Sequence, residues 1–128
     1  MFLTFASQAE RREYNGSGFI ELQFCRLPAI TPLKKIVAVS SIAFWKDDSL
    51  YVADEDEFYR AYFQIFSDGV YSNLKRGAVD VYGINYYDRS ATEEIISRLS
   101  DQKPPDHERL AQWLRKAITY NGFYVLGI

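Results

Sequence analysis

Two adjacent prolines, Pro104 and Pro105, constrain this chain more than any other local feature. Proline has no backbone N–H and its ring clashes with the preceding helical turn, so the pair cannot sit in a helix interior. Both flanks nevertheless carry helical periodicity. Upstream, Ser90-Ala91-Thr92-Glu93 has the form of a capping box, and Ile95, Ile96 and Leu99 follow on one side. Downstream, Leu110, Trp113, Leu114 and Ala117 make an apolar stripe, and proline is tolerated in a first turn. Lys103-Pro104-Pro105-Asp106 is therefore expected to end one helix and open another. Asn121-Gly122 stops the second helix, and Phe123 to Leu126 reads as a closing strand.

The rest of the chain is richer in strand signals. Phe2 to Phe5 suits a first strand, and Asn15-Gly16-Ser17-Gly18 a turn. Phe19, Glu21 and Gln23 then alternate with Ile20, Leu22 and Phe24 over a strand ending near Arg26. Pro28 and Pro32 bracket a connection. Lys35 to Trp45 is β-branched and aromatic, which suits a half-buried central strand. Lys46-Asp47-Asp48-Ser49 is turn chemistry, with Leu50 to Ala53 returning as the second arm of a hairpin. Asp54 to Phe66 fits a helix: Asp54 and Glu57 form a capping pair, and Phe58, Tyr62, Ile65 and Phe66 share a face. Its Tyr and Phe content keeps a strand as the rival reading. Ala78 to Tyr87 reads as a strand. A chain of 128 residues is expected to be one domain, residues 1–128, large enough to bury roughly two-thirds of its unfolded surface. The expected class is α+β: a mainly antiparallel sheet with two or three helices packed on it.

Side chains that do chemistry are scarce. His107 is the one histidine, placed in a first helical turn between Asp106 and Glu108, where a solvated ring is the ordinary outcome. Cys25, the one cysteine, cannot form an internal disulfide and reads as a buried structural thiol in a reducing cytosol. Together they fall short of a zinc site. Asp54-Glu55-Asp56-Glu57 fails as a calcium loop, because Phe58 and Tyr59 stand where ligand and glycine should follow. Gly16-x-Gly18 precedes a strand and no Gly-Lys-Ser/Thr follows, so phosphate cradling is unsupported. Met1 to Ala6 is too short for a signal-peptide core, and Ile36 to Trp45 too short to span a bilayer. The expectation is a cytoplasmic protein with no catalytic residue, metal or cofactor.

Charge is concentrated where chemistry is absent. Residues 47–70 hold seven carboxylates against Arg60, a net of −6, while residues 1–46 come to +3 and residues 71–128 to +1. A net charge of −2 and scattered basic pairs argue against direct nucleic-acid binding. Tyr51, Phe58, Tyr59, Tyr62 and Tyr71 interleave with the acids and cannot all be buried in a small domain. A solvated face and a protein contact fit this block equally. As a contact it would use Asp47, Asp48, Asp54, Asp56, Glu57, Tyr59 and Asp68 toward a basic partner.

The run Asp80-Val81-Tyr82-Gly83-Ile84-Asn85-Tyr86-Tyr87, the segment Thr92-Glu93-Glu94-Ile95-Ile96, Trp113-Leu114-x-x-Ala117 and the closing Tyr120 to Ile128 share a layout. Over roughly residues 66–128 the chain resembles the small cytoplasmic immunity proteins that accompany bacterial polymorphic and contact-dependent growth-inhibition toxins. That resemblance implies a protein that binds a cognate toxin domain and occludes its active or substrate-binding site. Many such toxins are basic nucleases, which an acidic surface suits. The alternative is a small ligand-binding domain or enzyme, with an aromatic pocket of Tyr82, Tyr86, Tyr87 and Trp113 between sheet and helices.

Overall fold

The computed structural model describes residues 1–15, 18–43 and 45–127. Seven antiparallel strands form one sheet in the order β1-β3-β2-β7-β6-β4-β5. They are β1 Phe2–Leu3, β2 Ile20–Phe24, β3 Leu50–Val52, β4 Gly69–Val70, β5 Arg76–Gly77, β6 Ile84–Tyr87 and β7 Phe123–Gly127. Helices α1 Gln8–Asn15, α2 Leu33–Ile36, α3 Glu55–Tyr62, α4 Arg89–Gln102 and α5 His107–Ala117 complete the fold, with a 3₁₀ turn at Val39–Ser41. The class is α+β, as expected.

Alternation in β2 explains the layering. Ile20, Leu22 and Phe24 join Phe58, Tyr62, Ile95, Leu99, Leu110 and Leu114 in the main core beneath α3, α4 and α5. Successive strand residues point to opposite faces, so Glu21, Gln23 and Cys25 face the other way. There Cys25 packs with Ile36, Val37, Tyr86, Tyr124 and Leu126. All five residues of β2 are buried, because both faces are covered. Cys25 is the buried thiol the sequence suggested, its Sγ 3.5 Å from the Tyr124 hydroxyl.

The cover on the second face corrects the sequence reading. Lys35 to Trp45 is not a central strand; Pro32 starts a short helix, its carbonyl accepting from Lys35 N–H at 2.9 Å and Ile36 N–H at 3.1 Å. Ile36 and Val37, the last helical residue and its cap, are both buried against the sheet. Their bulk reflects packing onto the sheet; β-branching alone did not imply a ladder. Central position belongs instead to β7, paired with β2 and β6. β3 accordingly has no hairpin arm before it and pairs with β1 and β2. Helix α1 was also not foreseen: of its described side chains only Arg11 is buried, so it carries no apolar stripe. Gly16 and Ser17, the centre of the expected first turn, lie outside the described residues, as does Phe44.

Elsewhere the boundaries shift for local reasons. Asp88, and not Ser90, caps α4: its carboxylate accepts from Ala91 N–H at 2.8 Å. The strand expected over Ala78 to Tyr87 shrinks to β6, since residues 78–83 turn on Asp80. The Pro104-Pro105 break behaves as read, with Lys103 ending α4 in the left-handed region and Asp106 preceding α5. The Asp106 carboxylate accepts from Phe2 N–H at 3.0 Å, tying β1 to the start of α5.

Gly122 joins α5 to β7 at φ +78, and a Cβ there would lie 2.0 Å from the Tyr87 carbonyl oxygen. Gly122→Ala is expected to lower stability by more than about 1 kcal/mol, since strain and overlap act together. A urea midpoint indistinguishable from the parent chain would contradict this.

Candidate acidic-aromatic interface

Helix α3 begins where the sequence said it should. Asp54 accepts from Glu57 N–H at 3.0 Å, and Glu55, Asp56 and Glu57 place their carboxylates at the positive end of the helix dipole. Phe58 and Tyr62 turn inward to the core. An adjoining flank carries Tyr59 and Phe63, stacked at 5.4 Å and both exposed. Arg60 folds back along its own helix, its Nε 3.4 Å from the Asp56 carbonyl.

A groove of about 620 Å³ runs between this flank and residues 79–82. Glu55, Asp56, Tyr59 and Arg60 line one wall; Asp80 and Tyr82 stand on the other. The far wall is held by buried Asn85. Its side-chain oxygen accepts from Asp80 N–H at 2.8 Å, and its amide donates to the Asp80 and Val125 carbonyls at 2.7 and 3.0 Å. The Asp80 carboxylate accepts in turn from Tyr82 N–H at 2.9 Å. Gly127 lets this segment close onto β7, since a Cβ there would meet the Val81 carbonyl oxygen at 2.0 Å. Tyr82 is thereby presented outward at 80% exposure on a fixed support. Its hydroxyl meets the Glu55 carboxylate, which with the charge of Asp56 raises the phenol above its ordinary value.

The seven residues read from the sequence do not form one patch. Asp56 and Tyr59 line the groove. Asp54 is exposed but serves as the helix cap. Glu57 lies about 160° around the helix from Tyr59, on the other flank. β3 carries the chain from Asp47 and Asp48 at one end of the sheet to Asp54 at the other. Asp48 pairs with Arg26, and its carbonyl accepts from Trp113 Nε1 at 2.9 Å, so it fastens the turn to α5. Asp68 precedes β4, four strand spacings or about 19 Å across the sheet from β3. Sequence contiguity thus overstated the charge cluster.

The contact expected from the sequence also left out Glu55 and Asp80, and it named Tyr82 only for the alternative aromatic pocket. Asp80 followed three residues later by Gly83 is a turn signature that was legible but absorbed into a strand. Of the aromatics in the acidic block, Tyr51, Phe58, Tyr62 and Phe66 are core, leaving Tyr59 and Phe63 exposed and Tyr71 half-buried. Nor do Tyr82, Tyr86, Tyr87 and Trp113 line one pocket. Tyr86 and Tyr87 pack on opposite faces of the sheet, and Trp113 stacks on Phe24 at 4.1 Å. His107 is half-buried, its Nδ1 3.0 Å from the Pro104 carbonyl oxygen. Among the described residues no cluster of three or more His, Cys, Asp and Glu is placed to hold a metal ion, and no helix is long and apolar enough to cross a membrane. No protein-family model matches the chain, and neither a curated protein nor a solved structure matches it.

Proposed function

We infer that this protein works by docking a basic protein partner on the groove between α3 and residues 79–82, and that the partner is a toxin domain it neutralises by occlusion. The observation that carries the docking part is the outward, rigidly supported Tyr82 beside Glu55, Asp56, Asp80 and Tyr59. Aromatic anchors supply contact area at small entropic cost, and unpaired carboxylates around them speed encounter with a cationic surface. The immunity role itself rests on the resemblance over residues 66–128. Occlusion requires no bond to be made or broken, in keeping with a groove that presents shape and charge.

Co-expression with the C-terminal domain of a large upstream open reading frame, where that domain is basic, tests the reading. The parent chain is expected to restore growth, and persistent growth arrest would reject it. Charge reversal of Asp56 and Glu55 to Lys is expected to slow association about tenfold or more at low salt. Asp54 is left intact in that variant, because losing the cap would cost about 1 kcal/mol of stability and confuse the result. An association rate independent of both the substitutions and the salt would move the contact elsewhere.

A further inference from the structure

Tyr82 borders a second depression that the acidic groove does not include. On its other side Val39, Ile42, Ser72, Ile84 and Leu126 line a hollow of about 290 Å³ that holds no charged side chain, where the first groove carries three carboxylates. Val39 lies largely open to solvent. One depression lined by charged side chains and one without them therefore share one exposed tyrosine as their common wall.

We propose that the partner crosses the sheet end over Tyr82 with a segment that pairs a cationic side chain with a bulky apolar one. The arginine or lysine enters the groove of Glu55, Asp56 and Asp80; the apolar side chain enters the hollow of Val39, Ile42, Ile84 and Leu126. This deepens the docking reading above and rests on it. Charge complementarity selects the occupant of the first site, because its three carboxylates outnumber the one cation in its wall, Arg60, and none of them has an ion-pair partner among the described residues. A guanidinium there donates hydrogen bonds to the acids and gains a cation–π contact from Tyr59 or Tyr82. The second site is mainly apolar, with Ser72 as its polar edge and no charged group in its lining, so it rewards desolvation of an apolar group. Tyr82 contacts both occupants, and its two rotatable torsions make it inexpensive to order. Neither half suffices alone: acids without the apolar hollow would bind any polycation, and the hollow without the acids any exposed hydrophobe. Together they specify a segment.

The test selects twelve-residue peptides from a displayed random library on the immobilised 128-residue chain. Recovered peptides are expected to combine Arg or Lys with an aromatic or branched aliphatic residue and to bind more weakly as salt rises. Tyr82→Ala is expected to reduce their affinity about tenfold or more. Glu55→Gln with Asp56→Asn should flatten the salt dependence, and Val39→Asp should remove the apolar preference. All four positions are exposed, so unchanged melting temperatures verify that the fold is intact. Recovery of no peptide, recovery of peptides lacking a cation, or unchanged binding to Tyr82→Ala would overturn the proposal. Peptide capture without growth rescue would reject the immunity reading while supporting this surface. Growth rescue that survives Tyr82→Ala would do the reverse.

Discussion

Arg11→Met is expected to cost about 3–5 kcal/mol of folding stability near neutral pH, the usual consequence of removing one partner from a buried ion pair. Glu21 is fully buried on β2, and Arg11 reaches it from α1 at 3.4 Å. The guanidinium carbon also lies 5.2 Å from the Phe19 ring centre and 5.3 Å from that of Tyr51, so α1 is fastened largely through this one side chain. Glu21 accepts further hydrogen bonds from Ser49 at 2.7 Å and Gln23 at 3.0 Å. Burial dominates these and raises its carboxyl above the ordinary value of 4.5, with Ser49, Gln23 and the Arg11 charge opposing.

The sign of the pH dependence follows. A raised folded-state value means the folded chain holds this proton more tightly than the unfolded chain. Glu21's contribution is complete below about pH 4.5 and declines as pH rises through the raised value. Removing the guanidinium leaves a carboxylate that protonation can relieve. The Arg11→Met deficit should therefore be smaller at about pH 4 than at about pH 8. Adding Glu21→Gln should recover much of the loss, since Gln still accepts from Ser49. Urea unfolding at the two pH values decides it. A deficit under about 1 kcal/mol, or one equal at both pH values, would show that Glu21 is not isolated in this way.

Asn85→Ala is expected to cost about 2–4 kcal/mol, because it strips partners from a buried carbonyl and from both backbone groups of Asp80. The larger consequence is functional. Without that clamp the far wall of the groove is released, and Tyr82 loses its fixed position. Hydrogen exchange at the Asp80 and Tyr82 amides should accelerate together, ahead of exchange in β7, and partner or peptide binding should fall with it. Exchange that remains slow at both amides would mean Gly127 and the Asp80 turn hold the segment unaided.

Much of the fold was legible because it is written in local chemistry. The Pro104-Pro105 break, the Asp54 cap, the Ile95/Leu99 and Leu110/Leu114 stripes and the alternation of β2 each follow from neighbours within a turn or two. The errors came where burial from a distant segment mimicked a local pattern. Ile36, Val37 and Ile42 are apolar because they pack with Tyr86, Tyr124 and Leu126, and nothing nearby in sequence says so. Helix α1 has the converse problem, since its anchor is a charged residue whose partner is ten positions away.

The candidate site divides the same way. Composition alone determined that acidic and aromatic residues abound between positions 47 and 70 while groups suited to catalysis are few. Only the tertiary structure decided which of them meet. Strand β3 carries Asp47 and Asp48 away from Asp54, and Asn85 brings Asp80 and Tyr82 opposite Glu55 and Asp56. The physical reason is that charge and residue type are properties of single positions, whereas a binding surface depends on how strand register and turn geometry juxtapose them.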